Sequence, residues 1–229
     1  MFRLISIVGL LGTVGGIALY HLVLRSRHIS HEKERREVLR FGLLERCMHA
    51  LALLSLVTLG FTGFAAVIIF GSPLRGWLWL AHFVAAPVFA VSVAVIALIW
   101  AEDGRFEGHD WKWLRHLGGY IWKKEGLPAG RFNAGQKAYF WFVGLASIVV
   151  ILSGVGRLYP VFGAAGQEIV YEVHRYSALV LVVAVIKHLY LGTLANPGTL
   201  WAMITGHVGP NWSKHHHPVW WERIQEGGK

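Results

Sequence analysis

Four histidines sit inside long apolar stretches of this 229-residue chain: His49, His82, His174 and His188. An imidazole in lipid is costly, and the chemistry open to it there is narrow: metal ligation, proton relay, or a hydrogen bond to a neighbouring helix. The spacing of the last two restricts the choice. In "VHRYSALVLVVAVIKHLY", residues 173–190, His174 and His188 are fourteen residues apart. On a helix that is a rise of about 21 Å, and fourteen steps of about 100° return to within about 40° of one face. One imidazole at each end of a helical face asks for partners at two depths. A single histidine is as readily a neutral group bonded to the next helix; four in register weaken that reading.

The elements that must position them are membrane helices. The chain is 55% hydrophobic, with a mean hydropathy of +0.47, and its apolar residues fall in blocks. Leu4–Leu24, Cys47–Phe70, Leu78–Trp100, Ala138–Leu158 and Ile169–Leu194 are each long enough to cross about 30 Å of hydrocarbon at about 1.5 Å per residue. None alternates with period two, so helices rather than a barrel are expected to satisfy the backbone in lipid. The first block lacks a small-x-small cleavage site and precedes strong positive charge, as a retained anchor would. The net charge of +9 is unevenly placed: seven Lys/Arg lie in Arg25–Arg46 and seven in Ala101–Lys137, against Arg75 and Arg157 in the opposite loops. That asymmetry predicts an outer N-terminus, with the basic loops and the C-terminal tail in the cytoplasm. Orientation and attraction to anionic lipid account for the charge, so no nucleic-acid partner is expected. The single cysteine, Cys47, leaves no internal disulfide and no Cys-based zinc or iron–sulfur site within the chain.

Topology then assigns depths. Helix two enters from the cytoplasm, placing His49 near the inner side, whereas helix three enters from outside, placing His82 near the outer side. Helix five also enters from outside, so His174 is outer and His188 inner. Two facing imidazoles at each of two depths match bis-histidine haem, each iron taking two axial nitrogens. Zinc would need three or four ligands at one level, and a relay would favour mid-depth carboxylates. Gly60, eleven residues after His49, would let a porphyrin pass helix two or would serve ordinary small-residue packing. His21, His28, His31, His109 and His116 are less informative. The run at 215–217 reads as a solvated or interfacial part of a basic tail rather than a metal site.

The expected fold is all-α: an integral membrane four-helix di-haem bundle plus one extra N-terminal transmembrane helix. Residues 1–46 form that anchor and a basic cytoplasmic segment, with an amphipathic surface helix over "RSRHISHEKERREVLRFGLLER". Residues 47–194 form the bundle, whose cytoplasmic loop 101–137 carries Trp111, Trp113, Tyr120 and Trp122 at headgroup level. Residues 195–229 form the cytoplasmic tail.

Four stretches carry a family resemblance: "ERCMHA", "RFNAGQKAYFW", "VHRYSALVLVVAVIKHLYLG" and "MITGHVGPNWSKHHHPVWWERI". Over about Glu45 to Ile224 the chain resembles the cytochrome b (gamma) subunits of membrane-bound respiratory formate dehydrogenases and the related cytochromes b of hydrogenases and thiosulfate reductases. The resemblance implies two b haems, His82 and His174 holding the outer one and His49 and His188 the inner one. It also implies a quinone site beside the inner haem, at Asn133, Gly135, Gln136 and His188. Read without it, "NAG" is a polar turn capping a helix. The chain departs from the family pattern at Ala50, where Trp is usual, at Pro87, where Pro usually follows the second ligand directly, and in its extra first helix.

The expected function is a di-haem cytochrome b subunit of a hetero-oligomeric complex in a bacterial inner membrane. It would pass electrons from a periplasmic redox partner, of iron–sulfur or cytochrome c type, to menaquinone or ubiquinone reduced on the cytoplasmic side. Substrate catalysis would lie in other subunits, formate oxidation if the resemblance holds fully. Two alternatives fit the same pattern: a quinol-oxidising cytochrome b serving a periplasmic multihaem cytochrome c or reductase, and a haem-free membrane anchor.

Overall fold

The computed structural model describes residues 1–24, 34–119, 124 and 126–227. Among them, five helices are long and apolar enough to cross a membrane: Phe2–Val23, Leu43–Phe70, Gly76–Trp100, Ala134–Leu158 and Gly163–Ala195. All five expected spans are present, and the fold is an all-α integral membrane bundle, as the apolar blocks required. The spans are built from α1 (Phe2–Leu19), α2 (Leu43–Phe64), α3 (Gly76–Trp100), α5 (Ala134–Leu158) and α6 (Gly163–Tyr190), with α4 (Asp110–Arg115) between α3 and α5. The first, second and fifth spans finish in π-type turns, Tyr20–Leu24, Ala65–Phe70 and Leu191–Ala195. Only 11–28% of the most apolar window of each span is buried within the chain, so most of its apolar surface faces outward, as lipid-facing helices require.

The chain forms two compact units, and the long helices contribute to both. The first comprises Met1–Gly16, Cys47–Ile96 and Phe142–Lys187. Its buried residues include Phe2, Ala65, Ala85, Phe89, Leu179 and Leu181, with Ser55, Thr62, Ser92 and Ser153. These four hydroxyls each donate to the carbonyl four residues back, which satisfies a polar group in lipid without a partner helix. The extra helix α1 is seated here: Phe2 lies edge-on to Tyr176 at 5.0 Å, and a Cβ on Gly9 would touch Leu179 at 3.9 Å. Gly60 faces Val182 of α6, a Cβ there lying 3.5 Å from Cγ2, an ordinary packing distance.

The second unit comprises Ile17–Arg46, Ala97–Trp141 and His188–Lys229. Phe41, Phe132, Ala202, Val208, Trp212 and Trp220 form its core. The segment expected to be a tail is folded into α7 (Thr199–Thr205), α8 (Pro210–His216) and α9 (Pro218–Gln225). The amphipathic surface helix is not found in the described part of its segment, and residues 25–33 lie outside the described residues. In its place β1 (Val38–Leu39) pairs antiparallel with β2 (His207–Val208), Val38 opposite Val208. Gly206 anchors the junction: Arg40 and Phe41 both donate their N–H to its carbonyl. Its φ of +86° and a Phe41 oxygen 2.6 Å from any Cβ exclude a side chain there. Long-range pairing has won over the local helical periodicity.

Candidate functional site

In the first unit, α3 carries His82 and α6 carries His174. Their ring centroids lie 6.4 Å apart with planes at 69°. Two metal–nitrogen bonds of about 2.0 Å, with about 1.1 Å from each Nε2 to its ring centre, span about 6.2 Å. The spacing therefore fits two imidazoles sharing one iron. Both rings are held from behind. His82 Nδ1 is 2.8 Å from Thr62 Oγ1, and His174 Nδ1 is 3.1 Å from the Val150 carbonyl and 3.2 Å from Ser153 Oγ. Each hydroxyl is followed by a glycine facing the ring: a Cβ on Gly63 would make ordinary contact with His82 Cε1 at 3.6 Å, whereas one on Gly154 would crowd His174 Cε1 at 3.3 Å. Small residues behind the rings and hydrogen bonds that engage Nδ1 are what a haem slot between helices needs.

The other two histidines are half-buried, His49 on α2 in the first unit and His188 on α6 in the second. His174 and His188 share one unbroken α-helix, as their spacing required. His188 is stacked on Tyr139, centroids 4.5 Å apart and planes within 7°. Tyr139 was not singled out from the sequence; it lies six residues after Asn133, and no local pattern marks it.

Asn133, Gly135 and Gln136 open α5. Asn133 N–H donates to Gln136 Oε1 at 3.0 Å and Gln136 N–H donates to Asn133 Oδ1 at 2.9 Å, a reciprocal capping box. These bonds use the amide oxygens, so the amide NH₂ groups are the donors that a carbonyl ligand would meet. The close approach that Gly135 permits is to Trp113, whose ring tip would lie 2.5 Å from a Cβ. The capping reading of "NAG" thus holds, alongside any binding role.

The next residue was also missed. Lys137 is 1% exposed and its Nζ lies 2.8 Å from Asp110 Oδ2, with Asp110 wholly buried and Glu107 Oε1 at 3.7 Å. Arg131 donates to Asp103, to both oxygens of Glu45 and to the Arg40 carbonyl. Burial, then the Arg131 charge, pushes the Arg40 guanidinium down to about 9. The hydrogen bond from Arg223 holds the Glu107 carboxyl below its usual range. His217, expected to be solvated or interfacial, is 2% exposed and bonds the Gly130 carbonyl through Nδ1 at 2.8 Å; burial first, then Arg40, holds it well below the usual imidazole value. Within loop 101–137, Asp110 and Lys137 are therefore internal while Trp111 is 64% exposed, and Tyr120 and Trp122 lie outside the described residues.

A family model described as prokaryotic cytochrome b561 matches residues 40–206. The cytochrome b556(fdo) subunit of formate dehydrogenase from Escherichia coli K12 is 26% identical over 206 residues, covering 85% of this chain and 96% of that protein. The cytochrome b556(Fdn) subunit of the nitrate-inducible formate dehydrogenase of the same organism is 34% identical over 104 residues, 42% and 46% of the two chains. The formate dehydrogenase cytochrome b556 subunit of Haemophilus influenzae Rd is 27% identical over 132 residues, 55% of each. With α2 to α7 inside the matched range, the chain belongs to the prokaryotic cytochrome b561 family of haem b-binding membrane proteins.

Proposed function

We propose that this chain is the membrane electron-transfer subunit of a formate dehydrogenase-like complex, linking a periplasmic redox subunit to a quinone reduced on the cytoplasmic side. A b haem held between two imidazoles supplies one-electron redox chemistry when bound. His82 and His174 hold the outer haem, and the observation that carries the proposal is their 6.4 Å ring separation. His49 and His188 hold the inner haem, as the charge asymmetry and the helical phase of residues 174 and 188 support. Asn133 and Gln136 donate amide hydrogens to the quinone carbonyl, with Gly135 and His188 beside it. Residues 47–194 are the di-haem bundle, and residues 1–46 are an added anchor whose N-terminus faces the periplasm. The protein resides in a bacterial inner membrane and its electron donor is an iron–sulfur or cytochrome c-type partner. Menaquinone or ubiquinone fits the same pair of amide donors. Formate oxidation, the activity in the relatives' names, would belong to another subunit.

The test is haem stoichiometry with site-directed variants. Purified wild type should contain two b haems per chain by pyridine haemochrome assay, and His82→Ala and His188→Ala one each. Loss of quinone reduction should accompany His188→Ala. A His82→Ala protein that retains two haems would overturn the pairing.

A further inference from the structure

Behind the His82–His174 pair, each of two helical hairpins presents the same device. A hydroxyl residue and a glycine near the end of one helix, Thr62-Gly63 on α2 and Ser153-Gly154 on α5, meet the imidazole that comes twenty or twenty-one residues later. The hydrogen count at these contacts fixes more than position. Thr62 is 1% exposed, and its hydroxyl lies 2.7 Å from the Thr58 carbonyl and 3.2 Å from that of Leu59. Carbonyl oxygens only accept, and a hydroxyl has one hydrogen to give, so Thr62 Oγ1 donates backward. Toward His82 it can only accept, and Nδ1 must carry the hydrogen of that 2.8 Å bond. The Nε2 lone pair is then directed away from α2.

On the other hairpin the same tautomer follows by a different route. His174 Nδ1 lies 3.1 Å from the Val150 carbonyl, which can only accept. The Ser153 hydroxyl is turned to Val149 and Val150 carbonyls at 2.6 and 3.1 Å, so it is a second, longer acceptor for the same N–H. The two imidazoles thus differ in which acceptor is nearest: for His174 it is the Val150 carbonyl, whereas for His82 it is the Thr62 hydroxyl, with the Leu59 carbonyl as a backbone partner beside it.

We propose that Thr62 is a positioning residue that locks His82 in its Nδ1–H tautomer and, by accepting that hydrogen, lowers the reduction potential of the outer haem. This rests on the ligand pairing proposed above. An acceptor at Nδ1 makes an imidazole a stronger electron donor through Nε2, which favours the ferric state. Ser153 has the same role in weaker form, because its hydroxyl is the longer of the two contacts to His174 Nδ1, whereas Thr62 makes a 2.8 Å contact to His82.

The experiment is a redox titration of the detergent-purified, haem-loaded chain, followed at the b-haem absorption bands, with electron paramagnetic resonance of the ferric protein. Thr62→Val, which replaces the hydroxyl by a methyl group of similar size, should keep two haems. It should raise one midpoint by a three- to tenfold shift toward ferrous, about 28–59 mV at about 59 mV per decade for one electron. The low-spin ferric signal of that haem should move with it. Thr62→Ser should restore the wild-type midpoint, and Ser153→Ala should move it by less than Thr62→Val. Thr62→Cys, a poorer acceptor of similar size, applies the same test should the valine variant fail to assemble. Unchanged midpoints and spectra in a two-haem Thr62→Val or Thr62→Cys protein overturn the proposal. His82→Ala separates the two failures: if it keeps both haems the ligand pairing is wrong, and if it loses one while Thr62→Val is silent only the role of Thr62 is wrong.

Discussion

Removing the Asp110 carboxylate should leave an ammonium stranded in the second unit. Lys137 is 1% exposed, Asp110 is 0% exposed, and their charged atoms are 2.8 Å apart. At an effective dielectric of about 20, attraction at that distance is about 6 kcal/mol, a gross figure that desolvation of both ions largely offsets. Asp110→Asn keeps the shape and an oxygen able to accept the Glu107 N–H, now 2.7 Å from Oδ2, so the change isolates the charge. Glu107 remains 3.7 Å from Nζ, but its side chain is 39% exposed and its attraction is screened. We therefore expect a loss near the low end of the range for breaking a buried pair, about 3 kcal/mol, or a fall in apparent Tm of about 6–12 °C for a chain of this size. The assay is thermal denaturation of the purified protein in detergent. Replacing both partners, Asp110→Leu with Lys137→Met, should recover most of the loss, because no uncompensated charge remains. An Asp110→Asn protein within about 1 kcal/mol of wild type, or a double variant as unstable as the single one, would refute the reasoning.

Two further outcomes follow from the second unit. His217 is held well below its usual value, chiefly by burial, so the folded protein keeps it neutral while the unfolded chain protonates it. That stability is present above about pH 6.5 and falls below it by up to about 1.4 kcal/mol per pH unit; pH-dependent melting should show a slope that His217→Asn flattens, and an unchanged slope contradicts it. Gly135→Ala places a Cβ 2.5 Å from the Trp113 ring and should lower stability by about 1–3 kcal/mol in the same melting assay, whereas a neutral effect would mean the ring yields freely.

The five spans, and the placing of His174 and His188 on one helix, were legible in the sequence. Helix hydrogen bonds are local, and lipid requires each span to satisfy its backbone within itself, so apolar blocks and a 3.6-residue period suffice. The sequence also carried the polar cap at Asn133–Gln136, because a capping box spans only four residues. What it did not carry are contacts between distant segments. That Thr62 and Ser153 back the histidines, that Tyr139 stacks on His188, that Asp110 meets Lys137, and that residues 38–41 are pinned by 206–208 all depend on which rows of two helices or loops come together. The tryptophans and charged groups of loop 101–137 made a cytoplasmic segment at headgroup level the natural expectation from composition. Only tertiary packing provides the buried partners that let Asp110, Lys137, Arg40 and His217 leave water.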